Sequence, residues 1–511
     1  MKDKLNEALN EVHEEYIAQA ATYRRKRRPF WLGAVAAALA VVLVAGILGP
    51  GAQAPAPSAP MLDAPTFPDP PRPASPAPIV TTAPSEDPEI TVPAPTIALL
   101  SGEVAAPRYP AMAQFPFDGG NAAYKAWRQS QLAQYDQPAG YADSLTGFFK
   151  TSIRTALADS GKNAAYSPLN VYMALAMLAE ASGGSSRQEV LNALSAENIE
   201  ALRTQAGHVW NAHYCADGAT TSLLANSLWL DSVMADYRPE TVQLLADTFY
   251  ASVFHHDLGT EDANNALAAW LDRQTGGMLR EQLLHTELDP DTVFALASTV
   301  YYRVKWKDTF FKGRNTEAAF HAPDGDETVT YMNRTVTTPP YFAGGNYALT
   351  ALHLEDGGKM WLILPAEGTT PGQLLAEGEW LDMVLGRKVS AQDLRVNLSI
   401  PKFDISSQTD LSQTLQTLGI TSLFNSSTAD FSPLIHQTHF DGSVRLSKID
   451  HAARVQIDEE GIAAAAYTIM QAPGESIPPE QEVDLVLDRP FLFLITSRDG
   501  LPLFAGVVND P

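Results

Sequence analysis

Nucleophiles, acids and bases are spread along this 511-residue chain without the spacing that catalysis needs. Ser185 lies in Gly183-Gly184-Ser185-Ser186, which lacks the glycine two positions after the serine that a nucleophile elbow requires. His255 and His256 are adjacent, and adjacent residues on a strand point to opposite faces, so the two cannot easily share an ion. They and His213, near Cys215, read as structural, and no metal site is assigned. The chain has no glycine-rich phosphate loop and no coherent hydrolytic triad, so enzyme activity is not expected and no cofactor is implied. The stretch that stands out is Glu459-Glu460-Gly461-Ile462-Ala463-Ala464-Ala465-Ala466-Tyr467-Thr468. A glycine that can turn is followed by four alanines and a β-branched threonine. Such a run favours helix by propensity, yet its side chains are small enough for another sheet to take it in as a strand. That conflict between local preference and destination points to function.

This stretch resembles the hinge of the reactive loop in the serpin family. Other segments match that family in order and spacing: Ser167-Pro168-Leu169-Asn170 with Ala174, Leu175 and Met177; the strand-like run 296–310 with Tyr301, Tyr302 and Trp306; Pro401-Lys402-Phe403; Leu418-Gly419-Ile420, Phe424 and Ala429-Asp430-Phe431-Ser432; Arg489-Pro490-Phe491; and Phe504-Ala505-Gly506 near the end. The resemblance covers roughly residues 140–511. It implies an α+β fold with three β-sheets, eight or nine helices and an exposed reactive-centre loop. It also implies a protease inhibitor rather than an enzyme. In the family mechanism the target protease cleaves the loop and becomes esterified to it. The loop then enters the central sheet as a new strand, distorting the protease before deacylation.

As a strand, the loop would present Ile462, Ala464, Ala466 and Thr468 to the core, all uncharged. The family usually has threonine or serine at the position of Ile462, which is expected to slow the first step of insertion. Counting by family spacing from Gly461 puts the cut between Glu475 and Ser476. The following Ser476-Ile477-Pro478-Pro479-Glu480 resembles the same segment in antitrypsin-like members. Glu475 suits a serine protease whose pocket accepts an acidic residue. Ala472-Pro473-Gly474 suits an elastase-like one, and cysteine proteases are a further class. The resemblance also assigns a sheet-opening region to Ser167, Asn170, Ser298, Trp306 and His451. Asn170 and Ser298 each stand where the family has the other residue type, so an exchange of partners around His451 is expected, which would keep a buried polar contact. The alternative function is a surface or adhesive module that keeps the fold without inhibition.

The rest of the chain divides by composition. Residues 1–28 read as a polar cytoplasmic head ending in Arg24-Arg25-Lys26-Arg27-Arg28. Residues 29–49 read as a transmembrane helix, because the nineteen residues 30–48 are uncharged and rich in Ala, Val and Leu. The cationic cluster before it places the C-terminal bulk outside the cell, single-pass, with secretion by cleavage near Ala52-Gln53-Ala54 as the alternative. Residues 50–116 read as a proline-rich stalk. At about 3.1 Å per residue it could reach on the order of 190 Å. Residues 117–511 form the globular domain, expected to be monomeric. A net charge of −24 argues against nucleic-acid partners. Cys215 is the only cysteine, so no intrachain disulfide exists, and it reads as a small buried residue. The sequons at Asn333, Asn397 and Asn425 matter only in a glycosylating pathway.

The elements that position the motifs follow from periodicity. Helices are expected over 124–135, 141–158, 171–181, 187–194 and 410–418. Strands are expected over 292–302, 359–364, 394–400 and 491–496; the run 222–229 is helical or strand-like by pattern, and its resemblance to the family's Ala-Asn-x-Leu-Trp implies a strand. The run 292–302 is so uniformly apolar and β-branched that it should be buried on both faces.

Overall fold

The computed structural model describes residues 37–46, parts of 102–116, and 120–511 apart from 160, 218–219, 281–286 and 463–480. The head 1–28, most of the stalk and the bond between Glu475 and Ser476 therefore lie outside the described residues. The strands of the central sheet are numbered along the chain: β1 is Ala37–Gly46, β2 Glu103–Ala105, β3 Thr221–Asp231, β4 Ala251–His256, β5 Thr292–Lys305, β6 Phe403–Asp410, β7 Arg445–Ile457 and β8 Gly461–Ile462. Their order across the sheet is β6-β7-β1-β5-β3-β4-β2, with β8 added on β5 and the two-residue strand Cys215–Ala216 on β3. A four-stranded sheet holds Glu482–Val486, Arg395–Pro401, Gly325–Thr337 and Thr316–Ala322. A six-stranded sheet includes Lys359–Pro365, Phe491–Thr496 and Pro502–Val508, and a two-stranded pair completes the β structure. Ten α-helices accompany these sheets among the described residues.

The middle of the central sheet has no free face. From Thr292 to Val300 every residue of β5 is buried, because apolar and β-branched side chains are met by packing on both sides. Trp229 of β3 stacks on Phe254 of β4 with ring centroids 3.9 Å apart. Behind the sheet runs the helix Pro168–Ala181, all of whose residues are buried. It is apolar around most of its circumference, as a helix enclosed by other elements must be. Proline at its first turn and Ser167 as its cap, accepting from the Asn170 N–H at 3.2 Å, fix where it begins.

Most expected elements are present with shifted ends. The helix expected over 141–158 is Thr146–Ala156 after a 3-10 turn, and that over 410–418 is only Ser412–Thr417. The second is shorter because pairing of β6 with β7 holds the backbone extended as far as Asp410. The helix near the domain start is Asn121–Tyr135, and Gln134 ties it to the body by donating to the Tyr214 carbonyl at 2.9 Å. The folded body also reaches back into the expected stalk. β2 pairs with the edge of β4, and Tyr109 stacks among Tyr214 at 5.1 Å, Tyr250 at 5.8 Å and Trp210 at 5.9 Å. An aromatic anchor and an unpaired sheet edge thus capture residues that the proline-rich composition assigned to a spacer.

The largest departure concerns the stretch expected to be a membrane helix. Its described part, β1, is a strand that pairs antiparallel with β7 on one side and with β5 on the other. Uncharged residues rich in valine satisfy their backbone groups equally well along two strand edges as in a helix, and a valine-rich run suits a strand. Among the described residues no helix is long and apolar enough to cross a membrane.

Candidate functional site

The hinge residues are held by a tight turn leaving β7. The Asp458 carboxylate accepts from the backbone N–H of Glu460 at 2.8 Å and of Gly461 at 3.2 Å, and the Asp458 N–H donates to the Gly461 carbonyl at 3.2 Å. Trp306, fully buried, clamps this turn from the end of β5. Its indole N–H donates to the Asp458 carbonyl at 2.8 Å and its backbone N–H to the Glu460 carbonyl at 3.1 Å. Gly461 is required here: its φ is +154°, and a Cβ would meet the Val304 carbonyl oxygen at 2.4 Å. Past the turn, β8 pairs antiparallel with β5, Gly461 opposite Lys305 and Ile462 opposite Val304. Ile462 is completely buried.

Glu459 is a buried carboxylate inside this turn. Burial alone would raise its pKa, but Lys402 Nζ at 2.5 Å and the Asn315 side-chain amide at 2.6 Å outweigh it and hold the carboxyl below its usual value. The Glu459 carbonyl also accepts from the Phe310 N–H at 2.9 Å. Asp458, Asn315 and Lys402 are therefore functional neighbours that the sequence did not single out. Lys402 sits in a motif quoted for its order alone, and nothing in the spacing of the other two signals the contact.

Halfway along the sheet, the other sequence-assigned residues form two separate contacts. Ser298 of β5 donates its hydroxyl to the Asn170 side-chain oxygen at 2.6 Å, and the Asn170 amide donates to the Ser298 carbonyl at 3.1 Å. His451 of β7 instead accepts, through Nε2, the backbone N–H of Ser167 at 3.2 Å. Asn170 and Ser298 thus pair with each other, while His451 takes the start of the helix as its partner, so the contacts are not the exchange expected around His451. All four residues are buried. Burial pushes the His451 pKa down to about 3, so the ring is neutral and, with Nε2 accepting, carries its proton on Nδ1. β1 runs between the two contacts: Val41 stands opposite Ser298 on one side and His451 on the other.

Of the loop, Glu459, Glu460, Gly461 and Ile462 are positioned by these contacts. Ala463, Ala464, Ala465, Ala466 and Thr468, like Glu475 and Ser476, lie outside the described residues. His255 is exposed and His256 buried, on opposite faces of β4. Cys215 is buried, and burial raises its thiol pKa to about 12. Among the described residues no three His, Cys, Asp or Glu side chains are grouped to hold a metal.

Residues 146–511 match the model of one family, "Serpin (serine protease inhibitor)". The chain is 28% identical over 370 residues to Serpin-Z1C of Triticum aestivum, covering 69% of this chain and 91% of that protein. It is 26% identical over 397 residues to the alpha-1-antiproteinase of Rattus norvegicus, covering 75% and 93%. Among solved structures, the native state of the thermophilic serpin tengpin superposes with a TM-score of 0.64 at 22% identity, covering 74% of this chain and 95% of that one. Arabidopsis AtSerpin1 in its native stressed conformation gives 0.63 at 23% identity, covering 73% and 100%. Both structures speak for the fold alone.

Proposed function

The chain belongs to the serpin family of protease inhibitors, not to an enzyme family, and we propose that it is a suicide substrate cleaved between Glu475 and Ser476. The observation that carries this reading is β8. Gly461 and Ile462 of the hinge are already paired, antiparallel, on the edge of β5, with Trp306 and the Asp458 turn aiming the chain along that strand. A loop cut downstream would continue the same ladder along β5, where β1 now stands opposite Thr292 to Tyr302. Its residues 463–466 offer nothing that a buried sheet would reject.

The targets are extracellular serine proteases, first those that accept glutamate and then those of elastase type, with cysteine proteases a further class. The N-terminal segment tethers the domain outside the cell, as a monomer on a stalk, with a secreted form as the alternative. Support for the tether is the run of uncharged residues behind a cationic cluster. The competing reading is a fold-preserving surface module without inhibition.

Incubating the chain with a glutamate-accepting protease and with an elastase-like one, followed by denaturing electrophoresis, separates the readings. A covalent complex stable to denaturation is expected. Clean cleavage without a complex would remove the inhibitory reading. Amino-terminal sequencing of the released fragment should begin at Ser476, and any other start would overturn the assigned bond.

A further inference from the structure

The opening that an inserted loop would need already holds a strand of the same chain. β1 is antiparallel to both β5 and β7, so those two run in one direction with β1 between them. β8 approaches β5 in the same antiparallel sense. With Ile462 opposite Val304, an uninterrupted ladder would bring Ala464 opposite Tyr302 and Thr468 opposite Ser298. In the structure those two positions of β5 face Ala37 and Val41. β1 goes on to Gly46, opposite Thr292, and so takes up the edge of β5 along almost its whole length.

We propose that Ala37–Gly46 is a built-in competitor of the reactive loop: it fills the central slot, and trapping of a protease is available only once it has left, into a lipid bilayer or by removal. The inference rests on the loop-insertion reading above and adds its regulation. Three properties fit the segment for both places. It has ten residues without a charged or hydrogen-bonding side chain, so neither a sheet buried on both faces nor hydrocarbon penalises it. The segment 30–48 is long enough for a bilayer while only its second half is needed for the sheet. Residues 47–101 are long enough to link β1 to β2. Each edge of β5 and β7 carries one row of backbone donors and acceptors, so a single strand can occupy the slot at a time.

The test uses the full chain with Ala40→Cys and Ala452→Cys, residues that face each other between β1 and β7. The native thiol, Cys215, is buried and does not interfere. In lipid-free solution, oxidation is expected to give an intrachain disulfide. That locked protein should be cut by the protease without forming a covalent complex and without gaining thermal resistance. Reduced and reconstituted into phosphatidylcholine vesicles, the same protein should show both. Full-chain Val42→Pro, which a central strand cannot accommodate but a membrane helix tolerates, should form the complex even without lipid. No cross-link, a cross-link between chains, or equal complex formation by locked and reduced protein would overturn the competition while leaving the trap standing. A cross-link with no complex and no thermal gain in any arm, Val42→Pro included, would sink the trap itself and the competition with it.

Discussion

Two buried titratable side chains report on the machinery in opposite ways. Glu459 is held ionised by Lys402 and Asn315 against the cost of burial. Its folded pKa lies below the unfolded value, so the stabilisation it gives is present above about pH 4.5 and is lost as the pH falls through the folded pKa. Glu459→Gln should remove that part of the acid sensitivity and cost about 1–3 kcal/mol at neutral pH, read from urea unfolding. His451 is the reverse case, because its folded pKa is depressed to about 3. Unfolded chains bind its proton below about pH 6.5 and folded ones do not, so stability falls from pH 6.5 towards 3 by up to about 1.4 kcal/mol per pH unit. His451→Gln should flatten that slope. An unchanged slope in the variant would show that His451 is protonated in the folded protein. Trp306→Phe keeps the ring in its pocket but loses the donor to the Asp458 carbonyl. The expected loss is about 1 kcal/mol or somewhat more, since the carbonyl is left without its partner.

Elements differ in how far their own residues decide them. β5 and the helix Pro168–Ala181 have compositions that permit only a buried strand and a buried helix. β1 is different, since the same valines and alanines serve a bilayer helix or a central strand, and only its neighbours choose. The hinge shares that ambiguity on purpose: four alanines favour helix in isolation, yet β8 has begun as a strand because Gly461 alone fits against β5. Gly461→Val should dislodge β8 and make the chain a substrate, cleaved without covalent complex. Ala464→Arg, facing the core once inserted, should have the same effect, seen as a shift from complex to cleaved product on denaturing gels. Retention of full complex yield by Ala464→Arg would mean that the loop does not insert in this register.

At the scale of the whole molecule, the proposed inhibition depends on a sheet that accepts one more strand. If β1 has left, loop cleavage should raise the thermal midpoint sharply, because a new strand completes the hydrogen bonding of β5 and β7. A cleaved sample melting at the uncleaved temperature would oppose insertion. The tether has its own check: the full chain should stay with membranes through alkaline extraction and be released only by detergent. Recovery in the soluble fraction would favour the secreted form.

The chain's own letters determined the family motifs and the buried central strand, because periodicity and local chemistry are written within short windows. Long-range closure decided the rest. The motifs single out Asn170, Ser298 and His451, but not the pairing of Asn170 with Ser298 or the turning of His451 to the Ser167 N–H. Nor was the enclosure of Glu459 by Lys402 and Asn315, residues separated from it by 57 and 144 positions. Placing an apolar N-terminal segment between β5 and β7 needed the two strand edges to stand side by side, and backbone groups seeking partners carry no sequence signature of where those partners will be.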